Sequence, residues 1–108
     1  MLVTPEDAAR RLAAANPPRL IDTRTREEHD AVAIAGSVFL DQELQQQLFG
    51  GDPEREILLY DHAGRHVLDT CAWFHGHGLR RTLAIRGGID AWSREVDPAL
   101  PRYRLEVD

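Results

Sequence analysis

Six consecutive residues, Asp61-His62-Ala63-Gly64-Arg65-His66, gather a carboxylate, two imidazoles and a guanidinium around a glycine turn. They follow an apolar run and precede a helical pattern, so backbone N–H groups of the turn and of the first helical turn converge near residue 61. Such a convergence is an anion-binding nest, and a nucleophile placed in it is strongly activated. The residue present is an aspartate, whose simplest work there is to accept those N–H bonds as a turn and cap residue. Its further use would be to shape a binding surface. His62 and His66 lie on the same loop, where an imidazole can donate, accept or exchange a proton. Cys71 is the only thiol; it lies ten residues past Asp61 on an apolar helix face, where cysteine behaves as a small hydrophobe with a raised pKa. His75 and His77 are two apart on that helix and point in different directions, and no pair shows metal-ligand spacing, so neither a metal nor a cofactor is expected.

The elements that must hold these residues can be read from pattern. Thr4 followed by Pro5, Glu6 and Asp7 starts a helix, Ala8, Leu12 and Ala15 share one face, and Asn16-Pro17-Pro18 ends it. Arg19–Asp22 reads as a strand, 25–31 as a short polar helix, 37–40 as a strand and 41–48 as a helix closed by the turn residues Gly50-Gly51-Asp52-Pro53. Ile57-Leu58-Leu59-Tyr60 is an unbroken apolar strand suited to the middle of a parallel sheet. The helix 65–77 follows, with Leu68, Cys71, Ala72 and His75 on one face and Gly78 capping its end. Thr82–Ile85 is a further strand, Gly87-Gly88 a turn needing positive φ or close approach, and 89–95 a last helix, with Trp92 as core. The stretch Glu27-Glu28-His29-Asp30 reads as a solvated helix face. Strands alternating with helices imply β-α-β crossovers, hence an α/β fold with a parallel sheet between helical layers. In such sheets ligands bind beyond the carboxyl ends of the strands. Asp22-Thr23-Arg24, Asp61 to Arg65 and Arg86-Gly87-Gly88 all fall there.

Composition bounds the function. The 108 residues, 43% hydrophobic and 29% charged, describe one globular domain over 1–108 with a core that needs no disulfide. The net charge of −5 gives no support to nucleic-acid or anionic-lipid binding, and no apolar run is long enough to span a membrane. A single cysteine fits a reducing cytoplasm.

The order Leu20-Ile21-Asp22-Thr23-Arg24, Glu27-Glu28-His29, Ile34-Ala35-Gly36-Ser37, Ile57-Leu58-Leu59-Tyr60 and Ile85-Arg86-Gly87-Gly88-Ile89-Asp90-Ala91-Trp92 resembles a single-domain rhodanese over nearly the whole chain. The closing motif and Asp97-Pro98-Ala99-Leu100-Pro101-Arg102-Tyr103 are most similar to proteobacterial rhodanese domains, some fused to monothiol glutaredoxins. The resemblance implies a three-layer fold with about five parallel strands and helices on both faces, and a cysteine after the central strand that carries sulfane sulfur as a persulfide. It also implies an ion pair of Asp22 with Arg24 that braces the loop, supported by Arg86, Gly87 and Gly88. The family's cysteine maps to Asp61, which has no sulfur to carry and is a poor nucleophile toward it. The related phosphatase chemistry would need cysteine at the same place. The family's late basic residue falls at His66, or at Arg65 with a one-residue slip, and its histidine before the third motif is Ala33 here. Two expectations follow. One is a catalytically silent module that binds a protein partner or a small anion through residues 61–66, with a link to a thiol-redox protein of the glutaredoxin type. The other is a sulfurtransferase using Cys71 or a partner's thiol.

Overall fold

The computed structural model describes residues 1–104; residues 105–108 of the expected domain lie outside the described residues. The elements in chain order are β1 (Leu2–Val3), α1 (Pro5–Leu12), β2 (Arg19–Asp22), α2 (Arg26–Ala31), β3 (Val38–Phe39), α3 (Gln42–Phe49), β4 (Ile57–Tyr60), α4 (Val67–Gly76), β5 (Thr82–Ile85) and α5 (Gly88–Glu95). The strands form one sheet in the order β1-β5-β4-β2-β3, and every pairing is parallel.

Alternation along the central strands builds two cores. Ile57 and Leu59 of β4 and Ile21 of β2 face Leu44 and Leu48 of α3 and Val67, Cys71 and Phe74 of α4. Leu58 and Tyr60 of β4 and Leu20 of β2 face Ala8 of α1 and Ile89 and Trp92 of α5. Burial on both sides explains why β4 carries an apolar residue at every position rather than at every second one.

Local chemistry sets the helix starts. Thr4 accepts the Asp7 N–H with Pro5 in the first turn, and Thr25 forms a capping box with Glu28. Two helix readings need correction. Helix α1 stops at Leu12 with Ala13 as its C-cap, so Ala15 lies beyond it and is exposed rather than on its buried face. Helix α4 begins at Val67 rather than at residue 65, and it buries Val67, Cys71 and Phe74 while Leu68 and Ala72 point outward. The reason is that Asp61 draws the N–H groups of His66 and Val67 to itself, which keeps 61–66 non-helical, and the large Phe74 ring then fixes which face turns inward. Strand β1 has no counterpart in the sequence reading. It adds to the sheet edge through Leu2 beside Ala84 and Val3 beside Ile85.

Candidate functional site

The carboxyl ends of β2, β4 and β5 meet at one face, and the loops leaving them are joined through backbone. The Ile89 and Asp90 N–H groups, at the start of α5, donate to the carbonyls of Asp61 and His62 at 2.9 and 3.0 Å. Gly64, Gly87 and Gly88 all have positive φ. A Cβ on Gly88 would lie 2.5 Å from the carbonyl oxygens of Asp61 and His62, and one on Gly64 would lie 2.7 Å from the Gly87 nitrogen. Glycine is required at these positions both by conformation and by space.

Within this frame Asp61 is nearly buried, 7% exposed. Its Oδ1 accepts the Gly64 N–H at 2.6 Å, and its Oδ2 accepts those of His66 and Val67 at 2.9 and 3.0 Å. These donors include the first N–H of α4, whose own N-cap residue, His66, makes no side-chain cap. Asp61 therefore caps a helix that begins six residues later, and its charge lies where the helix N-terminus favours an anion. Ala63 and Gly64 are partly buried, and Arg65, His66 and Arg86 are exposed around the loop.

Asp22 and Arg24 form the ion pair that the resemblance implies. Arg24 Nε and Nη2 donate to Asp22 Oδ1 and Oδ2 at 2.9 and 2.6 Å, in a fork with both side chains almost wholly buried. Burial works to raise the Asp22 carboxyl, but the Arg24 side-chain and backbone bonds and the His29 bond overcome it and hold the group below the ordinary carboxylate range. Burial likewise works to lower Arg24, and bonds to Asp22 and Tyr103 reverse that and raise it.

The pair is the centre of a wider network that the sequence reading did not identify. Tyr60 donates its hydroxyl proton to Asp22 Oδ2 at 3.1 Å and accepts the Ile34 N–H, and burial pushes its phenol up to about 12. Arg24 Nη1 donates to the Tyr103 hydroxyl at 2.6 Å, which in turn donates to Glu28 Oε2 at 2.6 Å. His62 Nε2 donates to the Tyr103 carbonyl at 2.9 Å, and the two rings stack with centroids 4.3 Å apart. His29 Nδ1 donates to Asp22 Oδ2 at 2.8 Å. The expectation that Glu27-Glu28-His29-Asp30 is a solvated face is therefore corrected: Glu28 and His29 turn inward because Tyr103 and Asp22 offer them partners. A hydroxyl at the end of a fully buried strand was a usable signal for Tyr60, since it must find a partner. Tyr103 gave none, because its partners lie 41 to 79 residues away.

Cys71 is not brought to this site. It is fully buried in α4, donates weakly to the Thr82 carbonyl at 3.4 Å, and burial pushes its thiol up. His75 Nε2 donates to the same carbonyl, while His77 stacks on Phe49. Among the described residues no group of three or more His, Cys, Asp or Glu is placed to hold a metal ion, and no helix is long and apolar enough to cross a membrane.

A family model described as a rhodanese-like domain matches residues 4–95. A sulfurtransferase of Allochromatium vinosum is 31% identical over 94 residues, covering 86% of this chain and 88% of that protein. Among solved structures, a rhodanese-like domain protein from Staphylococcus aureus aligns with a TM-score of 0.74 at 17% identity, covering 95% of this chain and 98% of the other. A human single-domain sulfurtransferase aligns with a TM-score of 0.74 at 19% identity, covering 87% and 96%. The fold is that of these neighbours: a five-strand parallel sheet with helices packed on both faces.

Proposed function

Because the chain belongs to the rhodanese-like domain family, we propose that it keeps the sulfurtransferase scaffold without sulfur transfer and acts as a binding or regulatory module through residues 61–66. The observation that carries this reading is the Asp61 carboxylate seated in the amide nest and held by three backbone N–H groups. A persulfide formed at residue 61 would need those same donors for its terminal sulfur anion. The carboxylate occupies them, repels an incoming thiosulfate or persulfide, and has no sulfur to carry.

The alternative thiol, Cys71, is poorly suited to the chemistry. It is buried and its pKa is raised, both of which suppress the thiolate that sulfur transfer needs. What the site does offer a partner is a rim of two exposed guanidiniums, Arg65 and Arg86, with the exposed His66 imidazole between them, on a chain of net charge −5. A protein that presents carboxylates there has matching chemistry, and a glutaredoxin-type thiol-redox protein is the class of partner that the family resemblance suggests. We place the module in the cytoplasm as one domain, consistent with its single unpaired cysteine.

The test is thiosulfate:cyanide sulfurtransferase activity of the wild type and of Cys71→Ser, with intact-mass analysis after thiosulfate. The expected result is turnover at the buffer blank and no adduct of about 32 Da, the mass of one added sulfur. Turnover that survives Cys71→Ser would overturn the silent-site reading, and a stoichiometric adduct on Cys71 would favour the alternative.

A further inference from the structure

Beyond α5 the described chain, residues 96–104, runs back across the site face with neither helix nor strand. Leu100 anchors it to the helix: the Leu100 N–H donates to the Asp97 carbonyl at 3.0 Å, and the Ser93 hydroxyl donates to the Leu100 carbonyl at 2.5 Å. Pro101, which has no N–H, follows. From there residues 101–104 make no backbone-to-backbone hydrogen bond with another described residue, and side chains hold them instead. Arg102 forks on Asp90 of α5 at 2.8 and 3.1 Å, with its side chain 53% exposed. The Tyr103 hydroxyl sits between Arg24 and Glu28, its ring stacks on His62, and its carbonyl accepts the His62 Nε2 bond.

Lifting this segment strands no buried group beneath it. Arg24 keeps its fork on Asp22 and its bond to the Val32 carbonyl, Glu28 keeps its capping box with Thr25, and Asp90 keeps Arg94 at 3.7 Å. Of residues 101–104, only the partly buried Tyr103 packs against a core. Opening therefore exchanges a few polar contacts for water and exposes little apolar surface, which puts it at the low-stability end of the molecule.

We propose that residues 101–104 are a strap, hinged after Leu100, that opens as a unit while the sheet stays folded and so uncovers the His62 imidazole beside the rest of the 61–66 loop. What the opening serves rests on the reading of that loop as a binding surface. The closed strap keeps His62 and one edge of Arg24 from a partner, and a partner that binds the open form better shifts the population toward it.

The test is native-state labelling of the wild-type protein at fixed pH in a series of urea concentrations below the unfolding transition, with diethylpyrocarbonate for imidazoles and iodoacetamide for the thiol, read by peptide mass. Cleavage after Arg65 separates His62 from His66. The buried Cys71 thiol reports global unfolding, and the exposed His66 reports an uncovered imidazole on the same loop. Protection is the labelling rate of the unfolded chain divided by that of the folded one. The expected result is that His62 is protected relative to His66, yet at least roughly a hundred-fold less than Cys71, and that urea hardly changes the protection of His62 while that of Cys71 falls steeply, because the slope scales with the surface exposed. Tyr103→Phe removes the hydroxyl held by Arg24 and Glu28 but keeps the stacked ring, and it should lower His62 protection by at least roughly ten-fold. One shared protection and urea slope for His62 and Cys71, His62 reacting as fast as His66, or unchanged His62 protection in Tyr103→Phe would each overturn the proposal, the last by showing that the 61–66 loop moves rather than the strap. The wild-type comparison stands even where the variant fails to fold. No partner or sulfur donor enters it, so its outcome is separate from that of the sulfurtransferase assay.

Discussion

At the scale of single residues, the site is governed by where two carboxylates find their donors. Asp61 takes backbone N–H groups, and Asp22 takes a guanidinium, a phenol and an imidazole. Asp22→Asn leaves Arg24 buried without its counterion, and loss of one member of a buried pair costs about 3 kcal/mol. The pH dependence has a definite sign. The folded-state carboxyl of Asp22 is lowered, so its contribution is fully present above the unfolded value of about 3.9 and is lost as pH falls through the lowered folded value. Melting curves at a series of pH values should therefore show the gap between wild type and Asp22→Asn narrowing below about pH 3.9. A constant gap would mean that Asp22 does not act through its charge. Asp61→Cys tests the nest in the other direction. A thiol there should ionise well below the value of about 8.5 for free cysteine, as read from alkylation rate against pH, because the three freed N–H groups favour the thiolate. A thiol at or above that value would show that the donors do not converge on the site. Asp61 was legible in the sequence because a loop after a buried strand and before a helix has a known electrostatic character. Glu28 and His29 were not, because a charged stretch on a short helix reads the same whether or not a distant tyrosine covers it.

At the scale of elements, the loop after β4 and the start of α5 behave as one piece. Gly88 sits against the carbonyls of Asp61 and His62, which in turn accept the first N–H groups of α5. Gly88→Ala should destabilise by about 3 kcal/mol, combining overpacking against backbone with a left-handed φ. The check is chemical denaturation with the slope held to the wild-type value, and a loss under about 1 kcal/mol would mean that the two loops separate easily. The sequence showed that two adjacent glycines here needed special backbone, yet it did not show what they touch. Element boundaries were harder. The helix after β4 starts at Val67 because a side chain six residues earlier caps it, and local capping rules look only three residues ahead. Strand β1, at two residues, is too short to show any alternation, and only the open edge of β5 makes it a strand.

At the scale of the whole molecule, the alternation of strands and helices was enough to give the layered parallel sheet, since β4 could be buried on both faces in no other common arrangement. The C-terminal tail was the part that escaped. Through Tyr103 it ties α2, Arg24 and His62 together across the site face, a set of contacts that exists only once the sheet has formed. The central claim, that Asp61 fills the anion site with its own carboxylate, is a property of the folded whole and is read most directly from melting of the wild type, Asp61→Asn and Asp61→Ala with and without sulfate at fixed ionic strength. Each variant should lose about 2 kcal/mol, or roughly 8 °C for a chain of this size. Sulfate stabilises proteins in general, so the difference between proteins is what counts. A vacated nest with a Kd of about 10 mM would gain about 1.4 kcal/mol at 100 mM sulfate, roughly 6 °C beyond the wild-type shift. The expected result is that extra shift in Asp61→Ala, and a smaller one in Asp61→Asn; equal sulfate shifts in all three proteins would contradict the account.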